Sequence, residues 1–220
     1  MDLPQTARTR IRRHPERGHY DRATLDAILD RGFVCHLGFC VDGLPQVTPT
    51  LYARDGDDLL VHGSSASGTL RSLRRGIDVS VAVTLVDGLV LAHSAFSHSI
   101  NYRSAVVFGR AEPIEERDDK LRALRTLTEH LLPGRWHEAR PPTDDELRQT
   151  MVLTLPIDEA SAKVRTGPPK DEPDPDAPVW AGELPLRVVA GDPVAFAGQD
   201  PALPLTPAVE AFRRSHLRGD

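Results

Sequence analysis

Three short apolar segments joined by Asp-Gly turns constrain the fold of this chain more than any other feature. The turns contain Asp42-Gly43 and Asp55-Gly56, and the segments that they join are FVCHLGFCV, PQVTPTLYAR and LLVHG. Asp-Gly pairs favour the tight turns that connect antiparallel strands, because glycine tolerates the backbone angles that such turns require. The sequence therefore predicts a β-meander, in which three consecutive strands lie side by side.

The remaining segments predict a mainly β fold with helices at both ends. Asp21 is a suitable N-cap for a helix that Gly32 ends, and the period of the apolar residues predicts further helices. These are SSASGTLRSLRRG, EERDDKLRALRTLTEHLL and a short helix that begins at Thr143. Later strands are predicted at DVSVAVTL and LVLAH, around a turn at Asp87-Gly88, and at YRSAVVFGRAEPI, TMVLTLPI and SAKVRT. Six or seven strands with this spacing predict a small closed or half-closed β-barrel with α-helices. The lack of GxGxxG after a strand excludes a Rossmann fold.

The domain organisation follows from a change in composition after Gly167. The segment GPPKDEPDPDAP is rich in proline and acidic residues, so it cannot form a strand ladder. We expect one barrel domain over residues 1–197, which includes a proline-rich arm at about 167–185 and an apolar segment that packs back on the body or on a partner subunit. Residues 198–220 are predicted to form a loose tail with a short helix.

Charge and cysteine content exclude several classes of protein. The net charge of -5 offers no electrostatic argument for binding nucleic acid or an acidic membrane. Cys35 and Cys40 have the spacing of neither a metal site nor a redox pair, and they face opposite sides of a strand. We interpret both as buried thiols in a reducing compartment. Without an apolar leader or a membrane span, the chain is expected to be cytoplasmic.

The loop HGSSASGTLRSLRR is the first candidate site. Its hydroxyl residues precede a helix, whose free N–H groups favour an anion, and the arginines of the helix add positive charge. A phosphate is one ligand that this loop fits; the alternative is a capped surface helix with solvated arginines. The candidate residues are Ser64, Ser65, Ser67, Thr69 and Arg71.

The stretch LAHSAFSHSINYRSAVVFGRA is the second candidate site. His93 and His98 suit either metal or haem ligation or local hydrogen bonds in a turn, and too few further ligands are present for zinc. Tyr102 and Ser104 share one face of the predicted strand, and Arg103 lies on the other, where it either reaches a phosphate or faces solvent. No GxSxG, Walker or HExxH motif occurs, so a cofactor is expected to carry any chemistry.

The chain resembles the flavin-nucleotide-binding branch of the pyridoxamine 5'-phosphate oxidase-like proteins over roughly Arg10 to Val189. The resemblance rests on CHLGF, VDGLPQVTPTLYAR, LLVHGSSAS, TLRSL, EASAKVRTGPPKDE, PVWAGELPL and, as the most specific part, DGLVLAHSAFSHSINYRSAVVFGRA. It implies an FMN-binding split β-barrel, in a homodimer that holds the cofactor between its two subunits. The nitroimidazole-resistance reductases are related to this branch.

The resemblance also implies positions for the cofactor. The flavin ring would lie against Thr48, Pro49, Thr50 and Leu51, the phosphate would meet the loop from Ser64 to Thr69, and the second wall would contain Asn101, Tyr102, Arg103, Ser104 and Trp180. Many relatives have a Lys or Arg where this chain has Ser67, Gly68 and Thr69. Arg71 or Arg103 would then supply the positive charge.

The expected function is that of an FMN-dependent oxidoreductase that passes electrons between the flavin and a small molecule. His98, Tyr102 and His36 are the candidates for a proton donor. Two alternatives stay open: a haem-binding or haem-handling barrel with His62 or His98 as axial ligand, and a flavin carrier without catalysis. FAD and deazaflavin are alternative cofactors. The basic C-terminal motif of true pyridoxamine-phosphate oxidases is missing, which disfavours vitamin B6 oxidation.

Overall fold

The computed structural model of the chain describes residues 2–74, 76–171, 179–200 and 202–216, apart from the side chains of residues 69–71. The described part contains ten strands: β1 Gly18–His19, β2 Val34–Val41, β3 Leu44–Asp55, β4 Asp58–Ser64, β5 Asp78–Leu91, β6 Ser99–Arg110, β7 Glu112–Pro113, β8 Thr150–Pro156, β9 Glu159–Arg165 and β10 Gly182–Pro185. Its α-helices are α1 Arg22–Arg31, α2 Gly68–Leu73, α3 Arg117–Leu131, α4 Arg135–Glu138, α5 Asp144–Gln149 and α6 Pro207–His216.

The strands form one antiparallel sheet that curls into a half-closed barrel. Its order is β1-β9-β6-β5-β2-β3-β4-β8-β7, and β10 pairs with the far end of β5. The sheet folds back on itself, since β6 and β8, which are five places apart in this order, come together: a Cβ on Gly109 of β6 would lie 2.8 Å from the side chain of Leu155 in β8. The predicted β-meander is β2, β3 and β4, and the mainly β fold is confirmed, although the number of strands was underestimated.

The predicted turn at Asp87-Gly88 is wrong. Residues 78–91 form one continuous strand, which pairs with β6 on both sides of an irregularity between Val86 and Gly88. Gly88 does not form a turn; it allows the backbone of β10 to pack closely against β5. A Cβ at this position would lie 2.9 Å from the carbonyl oxygen of Leu184 in β10. A bulge of this kind leaves the strand paired and redirects one side chain, here that of Asp87.

The main core fills the barrel, and helix α1 covers one of its ends. Asp21 caps α1 by accepting a hydrogen bond from the Thr24 N–H at 2.8 Å, as predicted. The buried face of α1 packs on the inward residues of the strands, and Tyr52 is completely buried beneath it. The Tyr52 hydroxyl donates a 2.6 Å hydrogen bond to the carbonyl oxygen of Leu29, which ties the end of α1 to β3.

Helix α3 forms a second, smaller core on the outer face of β3, β4 and β8. Ala123 and Leu127 are buried there against Ala53, Leu60 and Val152. The predicted helix is confirmed, but its apolar face extends beyond the contact: Leu131 is 46% exposed. Thr143 caps α5 through a reciprocal pair of hydrogen bonds with Glu146, which fixes the predicted helix start.

Two expectations about local features have different outcomes. Cys35 is buried, but Cys40 is exposed on the opposite face of β2, so the prediction of two buried thiols is wrong for Cys40. The apolar segment after the proline-rich arm does return to the body, where β10 pairs with β5. None of the helices in the described residues is long and apolar enough to cross a membrane.

Candidate functional site

The first candidate site is a small cavity between β2, β3, β4 and the serine-rich loop, here called the threonine cleft. Its volume is about 160 Å³, and it is lined by Leu37, Thr48, Thr50, Val61, His62, Gly63, Ser64 and Ser67. The register opposes Thr48 to Leu37 and Thr50 to Cys35, so that both threonines lie on the same face of the hairpin as the buried Leu37. The cleft brings together five of the predicted cofactor residues: Thr48, Thr50, His62, Ser64 and Ser67.

The serine-rich loop uses part of its backbone to hold its own shape. The Ser65 N–H donates to the carbonyl oxygen of Gln149 at 2.8 Å, and the Ser67 N–H donates to that of Ser64 at 2.9 Å. Arg74 forms a 2.8 Å ion pair with Glu115 on the surface. The side chains of Thr69 and Arg71, and the whole of Arg75, lie outside the described residues. A phosphate at this loop therefore stays a prediction.

Among the residues that line the threonine cleft, His62 is the titratable one. Its Nδ1 atom is buried and has no hydrogen-bond partner among the described residues. Burial lowers the pKa of the imidazole below its ordinary value, because the charged ring would lose its hydration. At neutral pH the ring is therefore uncharged, and it presents a nitrogen that is able to accept a proton or a hydrogen bond.

The residues from Asn101 to Ser104 do not line the threonine cleft within one chain. Asn101 is buried, donates to Glu183 at 2.6 Å and accepts from Arg165. Arg103 forms a two-bond ion pair with Asp87, at 3.0 and 2.6 Å, which raises the pKa of the guanidinium. The structure thus gives these side chains partners of their own within the chain.

The other predicted residues lie apart from the cleft. Pro49 and Leu51 point to the face of β3 opposite to Thr48 and Thr50, as strand alternation requires. His36 is exposed on β2 and pairs in register with Pro49. Trp180 is 65% exposed. The role of these residues in binding or proton transfer stays a prediction.

The histidines of the second predicted site lie in a turn before β6. His98 is exposed, and its Nδ1 atom lies 3.0 Å from the carbonyl oxygen of Ser94. The Nδ1 atom of His93 is buried and has no partner in the described part of the chain. Within the same residues, no group of three or more His, Cys, Asp or Glu side chains is placed to hold a metal ion.

A larger cavity lies where the carboxyl end of α1, the bulge of β5 and the C-terminal segment meet, and it is here called the C-terminal cavity. Its volume is about 590 Å³. It is lined by Arg31, Gly32, Phe33, Thr84, Leu85, Val86, Asp87, Arg103, Pro185, Leu186, Arg187, Val188 and His216. Sequence reasoning missed this cavity, because its residues come from five separate segments and share no local motif.

Helix α6 supplies one wall of the C-terminal cavity. The Ala208 N–H near its start donates to Glu138 at 2.8 Å, and the Phe212 ring lies 6.1 Å from that of Phe33. At its end, the carbonyl oxygen of His216 accepts a hydrogen bond from the Ala190 N–H at 3.2 Å. These contacts join the helix to α4, to the segment before β2 and to the segment after β10.

An antiparallel, half-closed barrel with a cleft beside a serine-rich loop is the fold class of the split-barrel proteins. Residues 21–164 match the model of the pyridoxamine 5'-phosphate oxidase family, so the chain belongs to this family, and the predicted resemblance is confirmed. No protein of curated function matches the chain.

Two solved structures are similar over almost the whole chain. A flavocytochrome from Azotobacter vinelandii is 39% identical, with a TM-score of 0.86, over 94% of this chain and 97% of that one. A protein from Mycobacterium smegmatis, described as binding FAD and haem, is 38% identical, with a TM-score of 0.84, over 89% of this chain and 97% of that one.

Proposed function

We propose that this protein is a redox protein that binds a flavin and a haem. The observation that carries the proposal is the similarity to the flavocytochrome and to the FAD- and haem-binding protein, which extends beyond the barrel to the C-terminal segment. The C-terminal cavity offers room for a second cofactor, since its volume of 590 Å³ is within the range of about 300 to 1,000 Å³ that is usual for ligand sites.

The threonine cleft fits the polar edge of a flavin. Hydroxyl groups of Thr48, Thr50 and Ser64 are able to donate to or accept from the ring, while Leu37 and Val61 supply an apolar surface. The flavin supplies one-electron or two-electron transfer when it is bound. The chain would orient it and exclude water, and His62 would hold or accept a proton at Nδ1.

A second subunit would complete the flavin site. The cleft of about 160 Å³ is too small for a whole flavin, and the adjacent β2–β3 hairpin exposes apolar side chains. Leu44 and Val47 are 67% and 66% exposed, which is typical of a surface that another protein covers. We therefore propose a homodimer with the flavin at its interface, where Asn101, Tyr102, Ser104 and Trp180 stay candidates for the second wall.

The activity that suits these two cofactors is electron transfer between flavin, haem and a small molecule. FAD is favoured over the FMN expected from the sequence, because the relative that is 38% identical is described as binding FAD. FMN, and a carrier without catalysis, are alternatives that the same experiment separates from this proposal.

The test is the absorption spectrum of the purified protein, with the released cofactors identified by mass. We expect flavin bands and a Soret band together, FAD as the released flavin, and bleaching of the flavin on addition of NADH or NADPH. A colourless protein that binds neither flavin nor hemin would contradict the proposal. Flavin that binds but is not reduced by any donor would leave a carrier as the function.

A further inference from the structure

The walls of the C-terminal cavity combine two kinds of chemistry. An apolar lining is formed by Phe33, Leu85, Val86, Leu186 and Val188, and the charged side chains of Arg31, Asp87, Arg103 and Arg187 stand among them. An apolar chamber with guanidinium groups in its wall suits a flat, mostly apolar molecule that carries carboxylates, because a guanidinium binds a carboxylate with two parallel hydrogen bonds. Haem, with its two propionates, has this chemistry.

We propose that the C-terminal cavity is the haem site and that His216 is the axial ligand. This inference rests on the proposed function, since it assigns a place in this chain to the haem. It names, in this chain, the cavity, the ligand and the residues that would neutralise the propionates.

The hydrogen bonds and ring contact of His216 orient its imidazole as in many metal-binding histidines. Its Nδ1 atom lies 2.9 Å from the carbonyl oxygen of Phe212, one turn earlier in α6, and 2.9 Å from the hydroxyl of Ser215. A ring that donates its Nδ1–H to a carbonyl oxygen keeps the lone pair on Nε2, and metal-bound histidines are commonly oriented in this way. The ring also stacks on Phe212, with centroids 4.0 Å apart, which holds its plane.

The two histidines suggested by the sequence fit a haem less well. His62 lines a cavity of about 160 Å³, and its Nδ1 atom lacks the hydrogen bond that would orient the ring. His98 has a carbonyl partner, but it is exposed in a turn beside Phe96, which is almost fully exposed, and it lines neither cavity. Only His216 combines an oriented ring with a large apolar cavity among these three.

The ion pair between Arg103 and Asp87 holds the Arg103 guanidinium in place at the wall of the cavity. Arg103 uses Nε and one terminal nitrogen on Asp87, and within the described part of the chain its other terminal nitrogen stays available for a ligand. A propionate would therefore meet a guanidinium that is already held in place, at low entropic cost. Asp87 competes with the propionate for the same cation, so its removal would favour the ligand.

The experiment is a titration of the full chain with hemin, followed by the Soret band and by electron paramagnetic resonance. We expect the wild type to bind one hemin per chain with a histidine-ligated spectrum. His216→Ala should lower the affinity by roughly tenfold or more and change the spectrum, and free imidazole should restore the spectrum by occupying the vacated space. His216→Met, which keeps a ligand of another type, should move the Soret band with a smaller loss of affinity.

Control variants separate ligation from a structural effect. His137→Ala removes another exposed histidine, on α4, and should match the wild type in affinity and spectrum. His62→Ala and His98→Ala should keep the histidine-ligated spectrum. Flavin content and thermal stability should be unchanged in His216→Ala, which shows that the barrel is intact.

The charges of the cavity are tested by a pair of opposite changes. Arg103→Gln should weaken hemin binding, and Asp87→Asn should strengthen it or leave it unchanged, while hemin dimethyl ester, which lacks both carboxylates, should respond to neither change. The assignment is overturned if His216→Ala keeps the wild-type spectrum and affinity, or if His62→Ala or His98→Ala loses them. Wild-type protein that binds no hemin would instead refute the haem part of the proposed function.

Discussion

The threonine cleft and the C-terminal cavity are built in opposite ways. The cleft takes its lining from one meander, in which β2, β3, β4 and the following loop are consecutive in the chain. The cavity collects residues from the end of α1, the middle of β5, β6, the segment after β10 and the last turn of α6. A site of the first kind is visible in a short sequence motif, and a site of the second kind becomes visible only when the fold is known.

The two sites also differ in their electrostatics. The cleft contains hydroxyl groups and one uncharged histidine, so it suits a ligand that exchanges hydrogen bonds. The cavity contains charged side chains on an apolar background, so it suits a ligand that combines charged groups with a large apolar area. Substitutions that act on one site and spare the other are therefore the sharpest tests of this division.

Tyr52 is the residue whose loss should affect both sites most. It is fully buried, two residues after Thr50, and its hydroxyl lies next to Gly32 at the edge of the C-terminal cavity. Tyr52→Ala should lower the free energy of unfolding by about 3 to 5 kcal/mol, because it leaves a large void in the core. Urea denaturation measures this loss, and both hemin and flavin affinities should fall together.

Tyr52→Phe is the matched control, since it keeps the ring and removes only the hydrogen bond to Leu29. It should cost about 1 to 2 kcal/mol, the usual effect of leaving a buried carbonyl oxygen unpaired. If Tyr52→Ala were to weaken only one ligand, the view that this residue supports both sites would be wrong.

Thr50→Val should separate the two sites. Valine has nearly the same shape as threonine and lacks the hydroxyl, so the change removes a hydrogen bond worth about 1 kcal/mol. Flavin affinity, measured by fluorescence quenching, should fall about fivefold, and hemin affinity should stay at the wild-type value. An equal loss of both ligands would show that the cleft and the cavity are one site.

His62 predicts a small dependence of stability on pH. Burial lowers the pKa of its imidazole in the folded state, so below the ordinary pKa of about 6.5 the unfolded chain binds a proton more readily. The stability that the uncharged His62 ring allows is therefore fully present above the ordinary pKa. It is lost as the pH falls through the lower, folded-state pKa. Urea midpoints measured from pH 7.5 to pH 5 should fall less in His62→Gln than in the wild type. A parallel fall would exclude His62 as the cause.

The sequence predicted those parts of the fold that local rules control. Asp21 and Thr143 cap helices, Asp42 and Gly43 form a tight turn with positive φ, and each was assigned correctly from residue type alone. The continuous strand β5 was missed, because an Asp-Gly pair at a bulge has the same composition as one in a turn. What distinguishes them is the close backbone of β10, which is almost a hundred residues further along the chain.

The candidate site was also predicted only in part. Thr48, Thr50, His62, Ser64 and Ser67 come together in the cleft because alternation along neighbouring strands brings them there. Arg103 was expected either to reach a phosphate or to face solvent, and its contact with Asp87 was not predicted, because that contact depends on a bulge that the sequence did not reveal. His216 was not predicted as a site residue, because nothing in the sequence around a single histidine in a short helix shows that a cavity lies beside it.

The place of α6 in the chain sets an order of assembly. A ribosome makes the chain from its amino end, so His216 emerges after every other residue that lines the C-terminal cavity. The strands of the barrel are all synthesised before α6, and a domain folds largely as a unit when its elements are present. The cavity is thus open on one side in the growing chain, and its last wall closes only after translation has passed residue 216.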